Sequence, residues 1–233
     1  MRVFVILPAA GIGTRMAAAG ASAPKQFLEL GGQPILIHSL KAFAGVAAVT
    51  EILVAVRPQE IERVHQQVRA AGLNDRVRVV EGGENRQGSV ANALAALDCA
   101  DDDIVLVHDA VRPLIDGHTI ERTIAAIQKH GAAIVGVPAI DTIKQVERTA
   151  DGAIITSTIP RELIVQAQTP QGATAAQLRR AFAEANADGF AGTDEASVLE
   201  RAGMEVAVVA GSPRNFKITQ PGDLELAEFY LKH

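Results

Sequence analysis

Five short runs, VFVIL (3–7), EILVAV (51–56), VRVV (77–80), DIVLVH (103–108) and AAIVGV (132–137), are largely apolar on both alternating faces. A strand without a polar face must be covered on both sides, as in a parallel sheet held between two helical layers. Between the runs, ILIHSLKAFAGV, QEIERVHQQVRAAG, RQGSVANALAAL and HTIERTIAAIQKHG carry apolar residues at helical spacing, and several end in glycine. Strand and helix in alternation predict right-handed βαβ crossovers and an α/β fold with a doubly wound, mostly parallel, Rossmann-like sheet.

The rhythm changes after Pro138. IDTIKQVERTADGAIITSTIPRELIVQAQTPQ holds two strand-like runs joined by a turn at Asp151-Gly152, which predicts a β-hairpin arm over residues 139–170. Such an arm needs cover, most simply from a second copy of the chain, so a homodimer is expected. The chain resumes with a helix over 174–187, a helix opened by GTDEAS, the strand EVAVVA and a terminal helix PGDLELAEFYLKH. With 48% hydrophobic residues and no repeats or linker-like segments, residues 1–233 are expected to form a single domain.

Composition narrows the function. A net charge of −5, no Trp, one Tyr and seven Phe give little material for a nucleic-acid surface. Anionic substrates would therefore need locally gathered cations. The single Cys99 can form neither an intrachain disulfide nor a multi-cysteine metal site, and it reads as a small buried residue. The apolar run before Pro8 is too short for a signal segment and no stretch reaches membrane-spanning length, so a cytoplasmic protein is expected.

The first strand runs into LPAAGIGTRM, the position where open α/β sheets bind ligands. Ala9, Ala10, Gly11 and Gly13 leave backbone N–H groups open to an anion. A P-loop would need Gly-Lys, which is absent, and a dinucleotide fingerprint would need a third glycine where Met16 stands. What remains is a backbone cradle followed by two cations, Arg15 and Lys25, a combination suited to a nucleoside triphosphate that loses pyrophosphate. Asp109 ends a buried strand, where a carboxylate can ligate magnesium, bond a substrate hydroxyl or cap the following turn. His108 reads as a group that orients this turn, and Arg112 as a sugar-phosphate contact. In EGGENRQGS, Gly82, Gly83 and Glu84 can read the polar edge of a base, with Ser89 either beside them or serving as a helix cap. Thr193 reads as the N-cap of its helix, with Asp194 and Glu195 complementing the helix dipole.

LPAAGIGTRM, PKQF, HDAVRP, DTIK, TPQ, TDEAS and NFKITQPGDL, in that order across essentially the whole chain, resemble the cytidylyltransferases of the non-mevalonate isoprenoid pathway. These enzymes make 4-diphosphocytidyl-2-C-methyl-D-erythritol from CTP and 2-C-methyl-D-erythritol 4-phosphate. The resemblance implies a nucleotidyltransferase fold and in-line attack of the acceptor phosphate on the α-phosphate of CTP. It implies that Arg15, Lys25, Arg161 and Lys217 are catalytic. It places Pro8, Ala9, Ala10, Gly11, Gly13, Gly83, Glu84, Ser89, Asp109, Ala110, Arg112, Thr142, Thr169 and Thr193 at the substrates. Thr142 and Arg161 would reach into the partner's site, Arg161 and Lys217 would hold the acceptor phosphate, and Mg2+ would accompany CTP with Asp109 as its protein ligand. GSPRNFK offers Arg214 where related sugar nucleotidyltransferases often bring a second metal-binding acid. Some members are fused to the enzyme of a later step, and no such domain is expected after His233. An alditol-phosphate cytidylyltransferase acting on ribitol 5-phosphate shares several of these blocks, and a non-catalytic nucleotide-binding module could share the fold. PAAG and the full TDEAS favour the isoprenoid enzyme.

Overall fold

The computed structural model describes residues 1–11 and 23–233. The first strand, β1 (Val3–Pro8), is buried along almost its whole length. A 3-10 turn at Lys25–Phe27 precedes a small ribbon of β2 (Glu29–Leu30) and β3 (Gln33–Pro34), and then α1 (Ile35–Ala44). The βαβ rhythm continues through β4 (Val49–Val56), α2 (Ile61–Ala70), β5 (Val77–Glu81), α3 (Arg86–Ala96) and β6 (Ile104–Val107). It ends with α4 (Gly117–His130) and β7 (Ala132–Pro138).

Beyond β7, β8 (Ile143–Thr149) and β9 (Gly152–Ile159) form an antiparallel hairpin. The chain then re-enters the body as β10 (Val165–Thr174), followed by α5 (Ala175–Ala187), α6 (Glu195–Arg201), β11 (Ala207–Ala210) and α7 (Pro221–Lys232). The seven-stranded sheet has the order β11-β7-β10-β6-β1-β4-β5. Only β10 runs against its neighbours, antiparallel to both β6 and β7.

The period-2 alternation of β1 assigns its residues to two cores. Val3, Val5 and Leu7 join Leu36, Leu40 and Phe43 of α1 and Ile120, Ile124 and Ile127 of α4 on one face. Phe4 and Ile6 join Val90 and Leu94 of α3, Leu178 and Phe182 of α5, and Leu199 of α6 on the other. Covering both faces is what the unbroken apolar runs require, and the α/β, mostly parallel sheet expected from them is the observed fold.

The sequence reading carried the arm to residue 170, whereas residues 165–174 belong to the central sheet. QAQTPQGAT looks too polar for a central strand, but its polar side chains find partners inside. Gln171 donates to Asp194 Oδ2 at 3.0 Å and accepts from the Ala196 N–H at 2.9 Å, and Gln168 donates to the Ser212 carbonyl at 2.9 Å. Gly172 is needed here, because a Cβ would lie 2.3 Å from the Val105 carbonyl oxygen. A second correction concerns α6: its N-cap is Asp194, whose side chain accepts from the Ser197 N–H at 3.0 Å, and Thr193 lies exposed outside the helix.

Candidate active site

Sequential connections leave β1 toward β4 on one side, while β6 lies on the other, so the loops at the carboxyl ends of β1 and β6 diverge and leave a crevice. A cavity of about 660 Å³ occupies it, lined in part by Pro8, Ala9, Ala10, Gly11, Lys25, Gly83, Glu84, Ser89, Asp109, Ala110 and Lys217. These expected residues, scattered over more than 200 positions, therefore meet at one place. Gly13 and Arg15 lie outside the described residues.

The cradle is fixed by hydrogen bonds from beneath. The Ala9 N–H donates to the Ala55 carbonyl at 2.7 Å, extending the β1–β4 ladder past Pro8. Buried Gln26 donates through Nε2 to the carbonyls of Ala9 at 2.7 Å and Gly11 at 3.1 Å. This ties the turn that carries Lys25 to the glycine loop. The sequence reading did not single out Gln26, although its position between Lys25 and Phe27 in PKQF was the available signal.

Beside the cradle, the Gly83 turn sits against the start of α3. The Ser89 hydroxyl accepts from the Gly83 N–H at 3.0 Å and donates to the Asn85 carbonyl at 2.8 Å. Asn85, accepting from the Gly88 N–H at 2.8 Å, is the helix cap, so Ser89 acts as a brace for the glycine turn.

At the tip of β6, Asp109 is 7% exposed and gathers three cations. Its Oδ1 accepts from Arg86 Nε at 3.1 Å, and its Oδ2 from Arg112 Nε at 3.2 Å and Lys217 Nζ at 3.0 Å. Arg86 also forks onto Glu195, with NH1 2.7 Å from Oε1 and NH2 2.9 Å from Oε2. Three cations thus meet two carboxylates in this cluster. Burial opposes the Asp109 charge, but Arg86, Lys217 and Arg112 together hold its carboxyl far below the usual carboxylate range. Burial likewise opposes the Arg86 charge and is outweighed by Glu195 and Asp109, so its pKa rises. Burial pushes the Glu195 carboxyl up, against the pull of Arg86.

His108 stacks edge-on against Phe43 and is wholly buried. Its Nε2 lies 3.0 Å from the Arg112 carbonyl, which can only accept, so Nε2 carries the proton and Nδ1 accepts from the Thr169 hydroxyl at 3.0 Å. The same hydroxyl accepts from the Asp109 N–H at 3.1 Å. Burial drives the His108 pKa down to about 4, so the ring is neutral and orients the turn, as expected from sequence. Thr169 serves this turn from below, its hydroxyl hydrogen directed at His108.

Thr142, Arg161 and Thr193 do not line the cavity, and neither do Arg112 and Thr169, which lie behind it around Asp109. Thr142 is exposed just before β8, and Arg161, at the arm's base, donates to the Ile140 carbonyl at 2.7 Å. Besides Gln26, the sequence reading missed Arg86, and Glu195 as a long-range partner: the two are 109 positions apart, and no local spacing marks such a pair.

Among the described residues no group of three or more His, Cys, Asp or Glu side chains is placed to hold a metal, and the Asp109 oxygens already face three cations. Among the same residues no helix is long and apolar enough to cross a membrane.

The family described as 2-C-methyl-D-erythritol 4-phosphate cytidylyltransferase matches residues 3–233. Relatives bearing that name include one from Acidobacterium capsulatum, 70% identical over all of this chain and 98% of its own length. Another, from Solibacter usitatus, is 50% identical over all of this chain and 96% of its own length. The crystal structure of the Francisella tularensis enzyme of that name superposes with a TM-score of 0.81 at 35% identity, covering 98% of this chain and 99% of that one. The crystal structure of the Thermus thermophilus enzyme does so with a TM-score of 0.78 at 35% identity, covering 100% of both chains. On fold, site and sequence together, this chain belongs to the 2-C-methyl-D-erythritol 4-phosphate cytidylyltransferase family.

Proposed function

We propose that the protein transfers CMP from CTP to 2-C-methyl-D-erythritol 4-phosphate, giving 4-diphosphocytidyl-2-C-methyl-D-erythritol and pyrophosphate. The observation that carries this reading is the cationic cluster at Asp109 facing a glycine cradle across a single cavity. One side suits a nucleoside triphosphate, and the other suits a second anion brought to it. The acceptor phosphate is itself a nucleophile, so no covalent enzyme intermediate is needed. The main obstacle is repulsion between two anions, and the protein's task is to position and neutralise them.

An oxygen of the acceptor phosphate attacks the α-phosphorus of CTP while the bond to the bridging oxygen of pyrophosphate breaks. The backbone N–H groups of Ala10 and Gly11 and the Lys25 ammonium, together with Arg15, take the triphosphate, in a cradle lined by Pro8 and Ala9. Gly83, Glu84 and the Ser89-braced turn take the cytosine. Lys217 receives the acceptor phosphate and is anchored from behind by Asp109, which Arg112 in turn holds in place. Mg2+ accompanying CTP would supply charge shielding of the triphosphate. Asp109 does not fit the role of its protein ligand, because Arg86, Arg112 and Lys217 surround both of its oxygens. Thr142 and Arg161, remote from their own cavity, serve the site of a second copy in a homodimer formed through the arm.

Pyrophosphate release from CTP, measured with methylerythritol phosphate and with ribitol 5-phosphate, tests the reading. Turnover with the first is expected. Turnover only with ribitol 5-phosphate would move the assignment to the alditol enzymes, and CTP binding without release for either would indicate a non-catalytic module. In the same assay Lys25→Ala is expected to fold and to lose on the order of 10²–10³ in turnover.

A further inference from the structure

Arg86 and Glu195 are each the first residue of a helix, and the two helix starts meet beside Asp109. Glu195 is 1% exposed, and among the described residues Arg86 is the side chain it bonds. A buried ion pair is a weak source of net stability compared with apolar packing, so its geometry is the informative feature. A guanidinium facing a lone carboxylate favours two parallel N–H···O bonds. Toward Asp109, however, Arg86 offers only Nε, because its NH1 and NH2 edge is held by Glu195. Asp109 is thereby bound through Oδ1 alone on that side, and Oδ2 stays with Arg112 and Lys217. Lys217 Nζ has three N–H donors, of which Asp109 takes one, and its side chain is 35% exposed on the cavity wall.

We propose that Glu195 is a positioning residue for acceptor binding: by occupying the Arg86 fork it keeps Arg86 off the second oxygen of Asp109, which is left to hold Lys217 toward the cavity. The proposal rests on the reading that Lys217 receives the acceptor phosphate. Without the carboxylate, the Arg86 fork turns onto both Asp109 oxygens and Lys217 loses its anchor.

The test is a double-mutant cycle on pyrophosphate release, with acceptor and CTP varied separately, for wild type, Glu195→Gln, Lys217→Ala and the double variant. Glu195→Gln is expected to raise the acceptor KM about tenfold, to leave the CTP KM within about twofold, and to add less than about twofold in the Lys217→Ala background. No rise in acceptor KM, an equal rise in both KM values, or a cost that multiplies in the double variant overturns the proposal. Should Glu195→Gln fail to fold, Glu195→Asp, whose shorter side chain releases part of the Arg86 fork, is put through the same cycle under the same criteria. Wild-type turnover in this assay checks the functional reading separately, and if wild type uses another alditol phosphate the cycle is run with that acceptor.

Discussion

His108 shows how a residue adjacent to the chemistry can serve it without titrating near neutrality. Its folded pKa of about 4 lies below the unfolded value near 6.5, so between these values the unfolded chain binds more protons. The stability this ring contributes is complete above the unfolded pKa and is lost as the pH falls toward the folded one. Urea unfolding at pH 7 and pH 4.5 should show wild type losing about 2–3 kcal/mol through this group. His108→Gln, which leaves all other titrating groups in place, should be less stable at pH 7 and show a correspondingly smaller drop; an equal drop in both proteins would refute the assignment. Residues of this kind were partly legible in sequence. His108, Asp109 and the glycines announced themselves by lying at strand ends. Arg86 and Glu195 did not, because in EGGENRQGS and GTDEAS each is explained well enough by its own helix start, and what distinguishes them is a contact across the fold.

At the level of elements, the turn between β5 and α3 depends on the absence of a side chain. A Cβ on Gly83 would lie 2.6 Å from the Gly88 carbonyl carbon and 2.9 Å from the Ser89 nitrogen, both backbone atoms of the helix start. Gly83→Ala must therefore push the turn away from α3 and break the Ser89 brace. We expect a loss of about 1–3 kcal/mol in stability and at least about tenfold weaker CTP binding by calorimetry. Unchanged CTP affinity would separate this turn from the base pocket. The strands of the parallel half were legible because burial on both faces leaves an apolar run with no polar interruption. β10 was not, for the opposite reason: Gln168, Thr169, Gln171 and Gly172 are read as loop residues until their buried partners are known.

For the whole molecule, the arm is the part least explained by one chain. Ile154 and Ile155 are 64% and 61% exposed on opposite faces of β9, and Val146, opposite Ile155, is 43% exposed. A two-stranded ribbon bare on both sides is marginal alone, which is the physical ground for expecting a homodimer. Sedimentation should find a dimer, and Ile155→Glu should shift it toward monomer and reduce turnover as the partner's Thr142 and Arg161 withdraw. A dimer unaffected by the charge would place the interface elsewhere. The position of β10 bears on how such a chain is made. As residues leave the ribosome in order, β6 and β7 emerge well before the strand that lies between them, and the arm is completed first. A nascent chain stopped short of Val165 can pair β5, β4, β1 and β6 but leaves the β6 edge open, a template for joining other chains. The strand that closes that edge also delivers Thr169 beneath His108, so a single late event covers the open edge and completes the hydrogen bonds of the Asp109 turn.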